Sequence, residues 1–122
     1  MSSTQPVLAS QRVQYYSSFN EVWAGTAGQA LATSHFNWFD KASPGMFNDN
    51  IHLFNPGAAS TSVTVSLPGA GTQTAIVTPG PEAYVSFPPG TIGGPVTVSS
   101  SQPVLASQRV QYYSSFIEVP AA

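Results

Sequence analysis

Apolar and polar residues alternate with period two along much of this chain. In SVTVSL (62–67), Val63, Val65 and Leu67 fall on one face and Thr64 and Ser66 on the other, the pattern of a half-buried β-strand. Similar β-branched and aromatic enrichment marks NIHLF (50–54), TQTAIVT (72–78), AYVSF (83–87) and VTVSS (96–100). Upstream, SHFNWF (34–39) predicts a strand with Phe36 and Trp38 on one face and His35, Asn37 and Phe39 on the other. Downstream, Val104 to Tyr113 is the longest strand candidate. Turn chemistry separates these segments: NPG (55–57), LPGAG (67–71), TPGP (78–81), PPG (88–90) and GGP (93–95) supply the backbone preferences of tight turns. Strands at this spacing from residue 34 onward predict an all-β fold, an antiparallel Ig-like β-sandwich of about seven strands. No long apolar period of 3.6 residues intervenes, which excludes a parallel α/β architecture. The one helix-like stretch, TAGQALATS (26–34), is short for a stable helix.

The pattern also repeats. Residues 2–24 recur at 99–121 with an offset of 97 and only three changes, Thr4/Ser101, Asn20/Ile117 and Trp23/Pro120. This divides the chain into a segment 1–24, an extra N-terminal strand that duplicates the last one, and a sandwich module 25–122. Val7, Ala9, Val13 and Tyr15 in the first copy correspond to Val104, Ala106, Val110 and Tyr112 in the second, and these positions are the expected strand-pairing and assembly face. Either the sequence belongs to a tandem array with a period near 97 residues, or the segment is doubled so that one copy serves a neighbour. Both readings make the copies interchangeable extended ribbons that seek a place beside the same apolar sheet. An orphaned apolar strand must pair with a free edge of its own module or with another molecule. Asn20 is polar where Ile117 is apolar, as expected if one copy is buried at that end.

At 122 residues one domain with one core is the working limit. Hydrophobic residues make up 42% but charged residues only 7%, so Ser, Thr, Asn and Gln must build the surface. A net charge of −2 offers no basic field for nucleic acid or anionic membranes. With no cysteine, disulfides, thiolate metal sites and cysteine nucleophiles drop out. The longest apolar runs fall far short of the ~18 residues of a membrane span. A Ser/Thr/Gly/Pro-rich, Lys-poor composition leans towards an exported protein at the cell surface.

An aromatic W-F strand, then FNDNIHLFNPG leading into SVTVS, then YVSFPPGTIGGPVTVSSSQPVLASQRVQYY, together resemble the repeated β-sandwich modules of large surface proteins of Actinobacteria and Chloroflexi. The resemblance covers residues 34–113. Its closing-strand pattern is matched by Pro103, Val104, Ala106, Arg109 and Tyr112. It implies an extracellular spacer or adhesin-like module without assigned chemistry. Where such modules often carry an acidic A-E-G after the aromatic strand, this chain has Asp40-Lys41-Ala42.

Candidate chemistry is sparse. His35, His52, Asp40 and Asp49 are the available bases and orienters for a serine, but no G-x-S-x-G elbow is present. The five acids Glu21, Asp40, Asp49, Glu82 and Glu118 are scattered over loops and strand ends, unlike a glycosidase pair. FNDN (47–50) with Asp40 offers oxygen ligands for Ca²⁺ without EF-hand spacing; turn hydrogen bonds before a strand are the plainer reading. Lys41 is the only possible donor for an isopeptide cross-link. Arg12 and Arg109 occupy the same place in the two copies, expected on the outward face with their stems across the sheet. Trp23 and Trp38 could stack on sugar rings. The expectation is a non-catalytic structural or adhesin-type module of a tandem array, with no cofactor or metal. Its partners would be neighbouring modules, identical subunits or surface glycans. The alternatives are a subunit that self-assembles by strand exchange of the duplicated segment, and a carbohydrate-binding module.

Overall fold

The computed structural model describes the chain except for Met1, Leu8, Tyr16, Ser17, Ala24, Gly25 and Thr26, and between residues 15 and 27 it describes backbone elements only. Eleven strands are found among the described residues: β1 (Ser10–Tyr15), β2 (Ser18–Trp23), β3 (Leu31–Phe36), β4 (Phe39–Asp40), β5 (Met46–Phe54), β6 (Thr61–Leu67), β7 (Gly71–Val77), β8 (Ala83–Val85), β9 (Ile92–Gly93), β10 (Val96–Tyr112) and β11 (Ser115–Pro120). The helix-like stretch becomes a three-residue 3-10 turn, Ala27–Gln29, followed after Ala30 by β3. The named strand pairs are antiparallel, and the sheets pack as a sandwich.

Strand β10 organises the molecule. Its first half lies between β3 and β6, with β7 beyond β6. Its second half lies between β5 and β11, with β8 beyond β5. The sequence predicts two strands here, 96–100 and 104–113; the structure joins them into one that passes from one sheet to the other. The handover falls at Ser101, Gln102 and Pro103, which are exposed, and the pairing with β3 shifts register between Ser99 and Val104. Pro103 has no N–H to give a ladder, so a shared strand tolerates it only at such an irregularity. On both sides of the bend the even-numbered positions face inward: Val96, Val98, Val104 and Gln108 are all buried.

The core is built from the alternation that the sequence displays. Val63, Val65 and Leu67 of β6 meet Ile51 and Leu53 of β5, Val96, Val98 and Val104 of β10, and Val77 and Val85 at the flanks. Phe39 and Phe87 fill one end, edge to face at 5.2 Å. In the N-P-G turn the buried Asn55 amide donates to the Ala59 and Val77 carbonyls at 2.7 and 3.0 Å and accepts from Gly57 N–H. It thereby ties the turn to the end of β7.

The expectation for SHFNWF is corrected. Phe36 is buried as predicted, but so is Phe39, while Trp38 is 55% exposed. The chain bends at Asn37 and Trp38 between β3 and β4, which changes the alternation by one residue. Gly94 lies under this bend: a Cβ there would stand 2.3 Å from the Asn37 carbonyl oxygen, so the close approach requires glycine.

Candidate functional site

The duplicated stretch is a hairpin rather than a single strand. β1 pairs with β2 from Ser10↔Trp23 to Tyr15↔Ser18, and β10 pairs with β11 from Ser107↔Pro120 to Tyr112↔Ser115. Every partner in the second ladder is offset by 97 from its equivalent in the first. The shared sequence therefore encodes one local structure twice, with Arg12 opposite Glu21 as Arg109 is opposite Glu118.

The two copies stand in unlike surroundings, against the expectation that they share one kind of seat. The second is built into the sandwich. Val104 is buried, Ala106 packs against the core and Val110 is half-buried. Gln108 is only 6% exposed; its Nε2 donates to both oxygens of the buried Asp49 at 2.8 and 2.9 Å and to the Trp38 carbonyl at 2.8 Å. The Asp40 N–H donates to Asp49 at 2.8 Å. Burial pushes the Asp49 carboxyl above the ordinary range, against the pull of these donors. The first copy forms its own two-stranded sheet. Val7 is 60% exposed and Gln11 is exposed, while Ala9 and Val13 are half-buried. The side chains of Tyr15 and Trp23 lie outside the described residues, as does the proposed boundary at 24/25.

The turn of the built-in hairpin is Tyr113–Ser114. Tyr113 has φ of 51°, a left-handed conformation unusual for a bulky residue. Its N–H donates to the Gly45 carbonyl at 2.9 Å, and its ring meets Tyr112 and Phe47 edge to face at 4.8 and 5.5 Å. Gly45 lies so close that a Cβ would stand 2.3 Å from the Tyr113 ring. Tyr112 pairs with Ser115 and Met46 in the ladders on either side of it, while its side chain is an exposed member of the turn cluster.

On the outward face Glu118 accepts from Ser107 Oγ at 2.8 Å and from Arg109 at 2.7 Å, and the Arg109 guanidinium stands 5.9 Å from the Phe116 ring centre. Burial raises the Glu118 pKa, but these hydrogen bonds outweigh it and leave the carboxyl below its usual range. Ile117, expected to mark a buried end, is 54% exposed. β2 lies beside β11 without joining its ladder, and an open groove of about 600 Å³ runs between the first hairpin and the body, past Ser10, His52, Glu82 and Ser107.

The candidate chemical groups are used locally. His52 contacts Glu82 through Nδ1 and stands opposite Ser107 in the ladder. The Ser107 hydroxyl donates to Glu118, so the proton that a base would take is already engaged. His35 meets the Thr97 hydroxyl at 3.3 Å. Lys41 donates to Ser86 Oγ at 2.9 Å. Asn48, Asp49 and Asn50 are strand residues of β5, not turn residues preceding a strand, and among the described residues no group of acids and histidines is arranged to hold a metal ion. Asp40 accepts from the Ala42 and Ser43 N–H groups. Burial raises its pKa, but the Ser43 side chain and the Ser43 and Ala42 N–H groups together outweigh it and leave the carboxyl below the usual range.

Sequence reasoning missed Gln108 and the Tyr113–Gly45 contact. Gln108 falls on the inward parity of β10 with Val104 and Ala106, and a polar residue in that phase was the available signal. Comparison of the chain with protein-family models, with curated proteins and with solved structures gives no match in any of the three.

Proposed function

We propose that this protein is a structural, non-catalytic β-sandwich module of a cell-surface tandem array, and that the duplicated hairpin is the joint between successive units. One observation carries this reading: the same hairpin, in the same register, stands at both ends of one unit, built into the body at one end and outside it at the other. In an array the first hairpin would be seated by Asp49 of the preceding unit through Gln11, as Gln108 is seated here. The resemblance to repeated surface modules supports the same role, with low charge and hydrogen-bonded ladders suiting a spacer. A chain with one further unit, residues 26–122 repeated after Ala122, tests it: force spectroscopy should show two equal unfolding events, each releasing roughly 97 residues or about 30 nm of chain. A single event, or unequal ones, would remove the reading.

Exchange between molecules uses the same parts. The first hairpin exposes Val7 and Gln11, the counterparts of the buried Val104 and Gln108, so it presents the seated face to a second copy. Exchange replaces contacts with identical ones and adds none. It therefore competes with a tethered hairpin whose effective concentration is on the order of millimolar, and it would appear only in concentrated protein. Light scattering across that range, with and without residues 1–17, reads it directly.

A further inference from the structure

Resting on the array reading, we propose that successive units are joined stiffly, because the chain leaving the hairpin is pinned to the unit it leaves before it can enter the next. After β11 the chain does not swing free. The Ala121 N–H donates to the Ala106 carbonyl at 3.0 Å, and the Ala121 side chain packs against the core. Ala122 and His35 then exchange both backbone hydrogen bonds, at 2.6 and 3.1 Å. Reciprocal bonding of one residue pair is the antiparallel hydrogen-bonded pairing, so Ala122 occupies the free edge of β3. Two consecutive residues thereby bridge the two halves of the sandwich, one bound to β10 and the other to β3.

The partner this surface fits is a second copy of the unit. In a following unit, Ala121 and Ala122 take the places of Ala24 and Gly25. Only a copy of residues 26–30 then separates the pinned Ala122 from the next β3, since β3 begins at Leu31. The six steps from Ala122 to the next Leu31 reach about 20 Å when fully extended, less than the breadth of a domain this size. The next sandwich must lie against β3 and the hairpin of the unit before it, and a short tether anchored at both ends leaves little room for reorientation.

The test uses the two-unit chain described above with Ser60→Cys in each unit. Ser60 is exposed in a loop, and the chain has no other cysteine. Spin labels at the two sites give a distance distribution. One narrow peak is expected. It should become about three times broader when Gly-Ser-Gly-Ser is inserted after Ala122, and should also broaden with Ala122→Pro, which removes the N–H that His35 accepts. If both units fold, shown by one set of folded amide resonances, and the parent distribution is already as broad as that of the insertion variant, the stiff joint is wrong and the array reading stands. If the second unit does not fold, both fall.

Discussion

Asp49 and Gln108 come from strands 59 residues apart, and neither has a reason to be buried without the other. Gln108→Ala removes two bonds to a buried carboxylate and should cost about 2–3 kcal/mol, read from the denaturation midpoint. Gln11→Ala, the same change in the exposed copy, should stay within about 0.5 kcal/mol. The raised pKa of Asp49 also fixes a sign. The folded state holds this proton more tightly than the unfolded state, so between the ordinary aspartate value of 3.8 and the raised value this group favours folding more as pH falls. Asp40 and Glu118 are lowered and act oppositely, losing their contribution as pH falls through their folded values. Asp49→Asn should therefore show a larger stability deficit relative to the parent near pH 4 than at pH 7, as measured by urea titration; an unchanged deficit would contradict the assignment. At the turn, Gly45→Ala combines a φ of 87° with a collision against Tyr113 and should cost about 3 kcal/mol. Gly69→Ala, at a φ of 82° in open space, should cost about 1 kcal/mol. None of these contacts shows in a single sequence, because each depends on a partner that only the fold brings near.

Strand β6 is legible from its clean two-residue period, and β7 from its β-branched residues and the glycine turns on both sides of it. The sequence of β10 reads as two strands, since SSSQP looks like a stop; the neighbours on either side carry the ladder across it. The hairpin is hidden in the sequence for a related reason. Its turn, Tyr113–Ser114, lacks the Asn-Gly or Asp-Gly signature, and its left-handed residue is a tyrosine held by Gly45 from another part of the chain. The alternation of SHFNWF misplaces Trp38 because the bend before β4 involves the close approach of Gly94. At this scale the two copies should differ sharply in what they hold together. Removing residues 1–24 should change the melting temperature by no more than about 3 °C, whereas ending the chain after Ser114 removes Glu118 from Arg109 and the Ala121–Ala122 bridge. That truncation should lower the melting temperature by more than about 10 °C.

For the whole molecule, the organising idea is a sandwich in which β10 belongs to both halves and forms, with β11 of the same chain, the hairpin that closes it. A closing hairpin from the same chain leaves no vacant seat in the body, so the protein should be a 12.8 kDa monomer at roughly micromolar concentrations, well below the effective concentration of the tethered copy. The sequence announces the duplication but not its consequence, since identical residues acquire different surroundings only when one copy has a body to close. Amide hydrogen exchange resolved by NMR tests this most directly, comparing Gln11, Arg12 and Val13 with Gln108, Arg109 and Val110. The second set should exchange only through opening close to the global unfolding free energy, and the first should exchange orders of magnitude faster. Equal protection of the two sets would mean that both hairpins are seated alike, and would contradict the account.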